Sequence, residues 1–290
     1  MPYDHTHKSD NIQLAFFLNL SFALLEIAGG LWTHSMAILS DALHDFGDTL
    51  SLGLAWFLER FSKKGRDFKY SYGYRRFSLL GAFINIIILL GGSLLILSKS
   101  IPRLMSPEPA HAPGMIVFSA IGIGVNGFAL LRLRTSHSMN ARVVALHMLE
   151  DMLGWAAVLI VSIVLLFSDL YILDPLLSVL ITAVILLNVI RNLKKTAALF
   201  LQASPENIAV DEIESQLLKI DKVQSTHHTH AWSLDGEHHV LTTHVVVRDG
   251  TTQSEIQKIK NHVRDLGRKY NFVHITIETE FGDEICSMQE

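Results

Sequence analysis

His44 and Asp48 stand four residues apart, and so do His147 and Asp151. In a helix such a spacing puts both side chains on one face. Each pair therefore offers one imidazole and one carboxylate in the same direction. Two such helices side by side supply two nitrogens and two oxygens, a set suited to tetrahedral zinc. A site of oxygens alone would favour magnesium, calcium or manganese; cadmium and cobalt are compatible with the mixed set. Both pairs lie in long apolar stretches. Ionisable groups at membrane depth cost on the order of 2.5–3.5 kcal/mol each on insertion scales, so they mark pathways or sites. The first expectation is a mid-membrane metal site built by His44, Asp48, His147 and Asp151. Bound metal needs neutral imidazole and ionised carboxylate, so protons compete for the same atoms.

Nearby acids are placed by the same geometry. Asp41 shares a face with Asp48, seven residues on, and with Asp45 is expected at an entrance, an interface or a basic partner. Glu150 points about 100° from Asp151 and is left out of the ligand set.

The elements that must carry these residues follow from hydropathy. Six apolar segments, at about 12–32, 36–60, 77–98, 114–134, 143–167 and 170–190, have the roughly 20 residues that a span requires. The second and fifth are the most polar and hold the two pairs. Asn19, Glu26, Asn85, Asn126, Asp174 and Asn188 are expected to hydrogen-bond between helices; Asp174-Pro175 also suits the cap and first position of the sixth helix. Fourteen lysines and arginines flank one set of segment ends, against only Lys99 and Arg103 on the other. The positive-inside rule then puts both termini in the cytoplasm. The division expected is a flexible cytoplasmic start over 1–11, a six-helix membrane domain over 12–200 and a cytoplasmic domain over 201–290.

Beyond Pro205 the composition turns polar and mixed. Ser204-Pro205 suits a helix start, with Ile213, Leu217 and Ile220 at helical spacing. Two strand-like stretches flank Asp235-Gly236, a hairpin signal. Thr252 and Glu255 form a capping box ahead of Ile256, Ile259, Val263 and Leu266. FVHITIETE reads as a last strand. The order αββαβ implies two helices on one face of a small sheet. Strict alternation puts His227 with Thr229 and Ala231 on one face and His228 with His230 and Trp232 on the other. Pairing of the strands can bring His227, His244 and Glu280 together as a second metal set; His238 and His239 form a lesser group.

Composition excludes other classes. Net charge is −4, too mild for a nucleic-acid partner. The single cysteine, Cys286, rules out an intrachain disulfide and a cluster of thiolates. No His-Glu-x-x-His string occurs, and four protein ligands leave no open position for a hydrolytic water, so the chain is not expected to be an enzyme. The start, MPYDHTHKSDN, lacks the pattern of a cleavable signal peptide.

The stretches GGLWTHSMAILSDALHDFGD, YSYGYRRFSLLGAFIN, HSMNARVVALHMLEDMLG, LDPLLSVLI and HTHAWSLDGEHHVLTTHVVV resemble the cation diffusion facilitator family of metal/proton antiporters, in its zinc-transporting branch. The resemblance runs from about residue 12 to 282. It implies six spans, cytoplasmic termini, a metallochaperone-like αββαβ tail and a homodimer working as a proton-coupled zinc exporter in a lipid bilayer. The family's transport site falls on His44, Asp48, His147 and Asp151. His at 44 resembles members that favour zinc over manganese and discriminate against cadmium. The tail site falls on His227, His244 and Glu280, with Glu278, His230 and His274 as further candidates. The loop SKKGRDFKYSYGYRR has no histidine for the site that some bacterial members carry there, only Asp67. The connection LRLRTSHSMNAR is short, with only His137, as in a compact prokaryotic member of the inner membrane.

Overall fold

A computed structural model describes residues 6–62, 64–133, 139–282, 284, 286 and 288. Side chains at 6–15, 55–56, 59–60, 132–133 and 139–144 lie outside the description, as does His137. The chain divides into two compact units. One comprises residues 1–60 and 81–193, the other 61–80 and 194–290.

The first unit is built from six long helices: α1 (Thr6–Thr33), α2 (Met36–Ser62), α3 (Phe77–Met105), α4 (Ala112–Leu133), α5 (Met139–Phe167) and α6 (Leu173–Phe200). Five are long and apolar enough to cross a membrane. The exception is α2, because Asp41, His44, Asp45 and Asp48 interrupt its apolar run. Outward-facing Leu, Ile, Val and Phe cover the helices, Leu95 and Phe128 among them, each more than half exposed. An unburied apolar surface of this extent needs a lipid solvent.

Helix ends depart from the sequence expectations in three places. The first helix begins at Thr6, inside the 1–11 stretch expected to be flexible. Extending an existing helix adds a hydrogen bond per residue without a new nucleus, and no proline or glycine intervenes. The sixth helix continues ten residues past the expected end at 190, since RNLKKTAALF contains no breaker; hydropathy measures the membrane, not the helix. Asp174, expected to cap α6, lies within the first turn of α6 and caps α2 instead.

That cap completes the start of α2. Met36 N–H donates to Asp174 Oδ2 at 2.7 Å and Ala37 N–H to Oδ1 at 3.2 Å. Ile38 N–H donates to Ser35 Oγ at 3.2 Å, and Ser35 N–H to Gly30 O at 3.1 Å. Ser35 Oγ in turn donates to Asp174 Oδ1 at 2.5 Å. All four N–H groups that a helix start leaves open are thus satisfied. Further along, α2 is tied to α6 by Ser40 Oγ and Thr182 Oγ1 at 2.7 Å, and to α3 by Asn85 Nδ2 donating to Ser51 Oγ at 2.6 Å. Asp174 and Asn85 therefore bond between helices as expected. Asn126 bonds within its own helix, to Gly122 O at 3.2 Å.

Gly122 on α4 lets the backbone approach the Trp155 ring of α5 so closely that a Cβ would collide with it. Trp155 is fully buried in a cluster with Ala37, Ile38, Met115 and Val158. It lies one helical turn beyond Asp151, so this packing fixes the rotation of the helix that carries His147 and Asp151.

The second unit contains α7 (Val210–Leu217), β1 (Val223–Ser233), β2 (His239–Val247), α8 (Gln253–Lys269) and β3 (Phe272–Phe281). The order αββαβ is the expected one. The sheet runs β1-β2-β3, with β1 antiparallel and β3 parallel to β2. Ile213, Leu217, Ile259, Val263 and Leu266 of the two helices pack with Ala231, Leu241, Val245 and Val247 of the sheet. Ser204-Pro205 does not start α7: Ile208 N–H donates back to Pro205 O at 3.0 Å, closing a turn, and the helix opens at Val210. The burial of Ile213 and Leu217 needs only that shorter helix. Thr252 and Glu255 form the full capping box of α8.

The loop between α2 and α3 belongs to this unit. Asp67 accepts from Lys69 N–H (2.9 Å), Tyr70 N–H (2.8 Å) and Tyr74 O–H (2.6 Å). These donors, Tyr74 foremost, hold its carboxyl down at about 2. Asp67 is thereby committed to a turn.

Candidate metal centres

Three of the four residues in the helix pairs come together, and Asp151 stands outside that group. One ligand atom each from His44, Asp48 and His147 lies within 4.8 Å of the others. His147 Nε2 is 2.8 Å from Asp48 Oδ2 and 3.8 Å from Asp151 Oδ2. The rings of His44 and His147 meet edge to face at 5.8 Å between centroids. Around a zinc ion with bonds near 2.05 Å, tetrahedral nitrogen and oxygen donors stand about 3.3 Å apart. The distances from His147 straddle that value. The side chain of Asp151 is the most buried of these, at 8% exposure, against 36% for Asp48 and His147.

Asp48, His147 and Asp151 line a cavity of about 480 Å³, together with Asp45, Asn19 and Asn126. Asp45, one of the acids beside the motif, thus borders the approach to the ligands. Asp41 is buried at 5% exposure. Nε2 of His147 and Oδ2 of Asp48 face one another. A proton bridging these two atoms and a metal bound to them exclude one another.

On the sheet, a bulge decides which histidines meet. His227 pairs with His244, but the next paired residue is His230, opposite Thr242. His228 and Thr229 together face Thr243, with His228 at φ 47°. The extra residue shifts the alternation. His227 therefore shares the face of His230 and His244, and Ala231 turns into the core, against the expected grouping of His227 with Ala231. Pattern alone cannot place a bulge. On β3, His274, Thr276, Glu278 and Glu280 do align with the β2 positions Val240, Thr242, His244 and Val246.

The face so formed gathers donors. His244 Nδ1 lies 2.6 Å from Glu280 Oε1, and His227 Nε2 3.2 Å from Glu280 Oε2. His244 Nε2 is 3.4 Å from Glu278 Oε2. His274 stands elsewhere, with its ring 5.1 Å from that of Tyr72. His238 is occupied by Asp235 in the hairpin turn, at 2.7 Å. Burial holds the imidazole of His239 below its ordinary range, overcoming the opposing pull of Asp235, and His238 adds a little in the same direction as burial. Cys286, given no role from the sequence, joins the group: its Sγ is 3.7 Å from His244 Nδ1, and donor atoms of His227, His244, Glu280 and Cys286 all fall within 4.8 Å. It follows the last strand with no periodicity to announce it. The available signal was a lone soft donor six residues after Glu280.

A bundle of apolar helices with inward His and Asp, joined to a metallochaperone-like domain, defines a membrane metal-cation transporter. Residues 12–201 match the family profile of the cation efflux transmembrane domain. Residues 205–281 match that of the cation efflux protein cytoplasmic domain. The chain belongs to the cation efflux family, the cation diffusion facilitators; it is a multi-pass membrane protein and not an enzyme. A "Cadmium, cobalt and zinc/H(+)-K(+) antiporter" of Bacillus velezensis is 30% identical over 97% of this chain and 92% of its own length. The "Metal cation efflux system protein CzcD" of Cupriavidus metallidurans is 30% identical over 96% of this chain and 89% of its own. The "Zinc transporter ZitB" of Escherichia coli is 29% identical over 97% and 93%.

Proposed function

We propose that this protein exports zinc from the cytoplasm in exchange for protons, by alternating access around His44, Asp48, His147 and Asp151. The observation that carries this reading is the convergence of donors from two helices on one cavity within an apolar bundle. Two neutral imidazoles and two carboxylates around Zn²⁺ sum to zero charge, which suits an ion held at membrane depth. Cytoplasmic Zn²⁺ sheds its waters as it meets the four side chains. When the site faces outward, protons taking His147 and the carboxylates release it. The protonated ligands return inward, and the higher pH there frees them for the next ion. The names of the relatives above extend the candidate substrates to Cd²⁺ and Co²⁺.

The rest of the reading follows the family: a homodimer in a bacterial inner membrane, with both termini cytoplasmic. A second metal in the tail, held by His227, His244 and Glu280, regulates transport and draws two tails together. The test is zinc flux in reconstituted vesicles. Asp48→Ala and Asp151→Ala are expected to abolish flux in protein that remains folded; normal flux in both rejects the site.

A further inference from the structure

We infer that Cys286 is the fourth ligand of the tail metal, so that zinc binding in the tail masks the protein's only thiol. This rests on the reading that the tail holds a metal at His227, His244 and Glu280.

Three observations support it. First, distance: with Zn–S near 2.3 Å and Zn–N near 2.05 Å, a tetrahedral edge from sulfur to nitrogen is about 3.6 Å. Cys286 Sγ lies 3.7 Å from His244 Nδ1. Second, an open donor: His227 Nε2 is buried and makes no hydrogen bond, although Glu280 Oε2 is 3.2 Å away. A buried imidazole nitrogen left without a partner is costly, and a cation at that point removes the cost. Third, convergence: Nδ1 of His244 faces both Glu280 Oε1, at 2.6 Å, and Cys286 Sγ, so nitrogen, oxygen and sulfur donors meet at one point. His244 and Glu280 are each only 6% exposed, so the group is held by the sheet rather than by the surface.

His227, His244 and Glu280 alone leave one tetrahedral position open. Cys286 fills it, giving two nitrogens, one oxygen and one sulfur. On binding, the thiol proton leaves to water as the metal–sulfur bond forms. Sulfur makes the site soft, favouring Zn²⁺ and Cd²⁺ and turning away Mg²⁺ and Mn²⁺. A single thiol also makes the site open to oxidation, which removes one ligand without touching the membrane set.

The membrane site contains no sulfur, so two measurements on the full-length protein in detergent read the tail alone. Loaded with Co²⁺, the wild type is expected to show a near-ultraviolet sulfur-to-cobalt charge-transfer band, and Cys286→Ser to lack it while keeping the same number of bound ions. Zn²⁺ is expected to slow alkylation of Cys286 by iodoacetamide at least tenfold, and His244→Ala to remove that protection together with one bound ion. Wild type lacking the band and alkylating equally fast with and without Zn²⁺, while His244→Ala still loses one ion, overturns the role of Cys286 and keeps the tail site. An unchanged ion count in His244→Ala rejects the tail site itself.

Discussion

The tie between Asp174 and the start of α2 sets the position of half the proposed transport site. His44 lies eight residues beyond Met36, about 12 Å along the helix, and Asp48 about 18 Å. Asp174→Ala removes the acceptor from two buried amides and from the Ser35 hydroxyl. Buried donors left unpaired cost roughly 1–3 kcal/mol each. The buried carboxylate itself, 2% exposed, carries a desolvation cost that the substitution relieves. A net loss of about 3 kcal/mol is expected, and about half of that for Asp174→Asn, which keeps one oxygen. Ser35→Ala removes the bond to Asp174 and the cap on Ile38 N–H, costing about 1–2 kcal/mol. The two sites share one bond, so a double-mutant cycle should return a coupling of about 1–2 kcal/mol. The assay is unfolding of the four proteins by SDS titration in mixed micelles, with zinc flux measured on the survivors. Asp174→Ala within 0.5 kcal/mol of wild type, roughly the scatter of neutral surface changes, or a coupling near zero, refutes the reasoning.

Other outcomes follow from single contacts. Gly122→Val should drive Trp155 from its place and destabilise the α4–α5 packing by about 1–3 kcal/mol, visible as a shifted tryptophan emission and weaker zinc binding. Thr252→Ala should cost about 1 kcal/mol through loss of the α8 capping box, read from unfolding of the tail by amide exchange. His239 has a folded-state pKa below its ordinary 6.5, so the unfolded tail binds the proton more readily. Its contribution to stability is full above that ordinary value and is lost as pH falls below it. His239→Gln should therefore flatten the decline of tail stability in that window, and an unchanged slope would exclude the effect.

Sequence reasoning reached what local periodicity encodes. The spacing of His44 to Asp48 and of His147 to Asp151 fixes a shared face wherever the helices lie. The same is true of Ile213 with Leu217 and of the alternation along β3. What escaped depends on distant partners or on irregular backbone. Asp174-Pro175 looks like a local cap, and nothing nearby shows that its carboxylate reaches 138 residues back to Met36. The bulge at His228 is a property of pairing with β2, so strict alternation misplaced Ala231 relative to His227. Cys286 lies beyond the last regular element, where no period constrains it. For Asp45 the sequence left an entrance, an interface and a basic partner open, and only the packing of α1, α4 and α5 places it in the cavity wall.

The most direct test of the account is simultaneous measurement of zinc and proton movement in vesicles with an acid lumen. For wild type, zinc entering the lumen should be matched by protons leaving it, in a fixed ratio. Asp48→Asn and Asp151→Asn should lose both movements together, because metal and proton use the same atoms. Zinc flux that persists in either variant, or that proceeds in wild type without proton movement, contradicts the account.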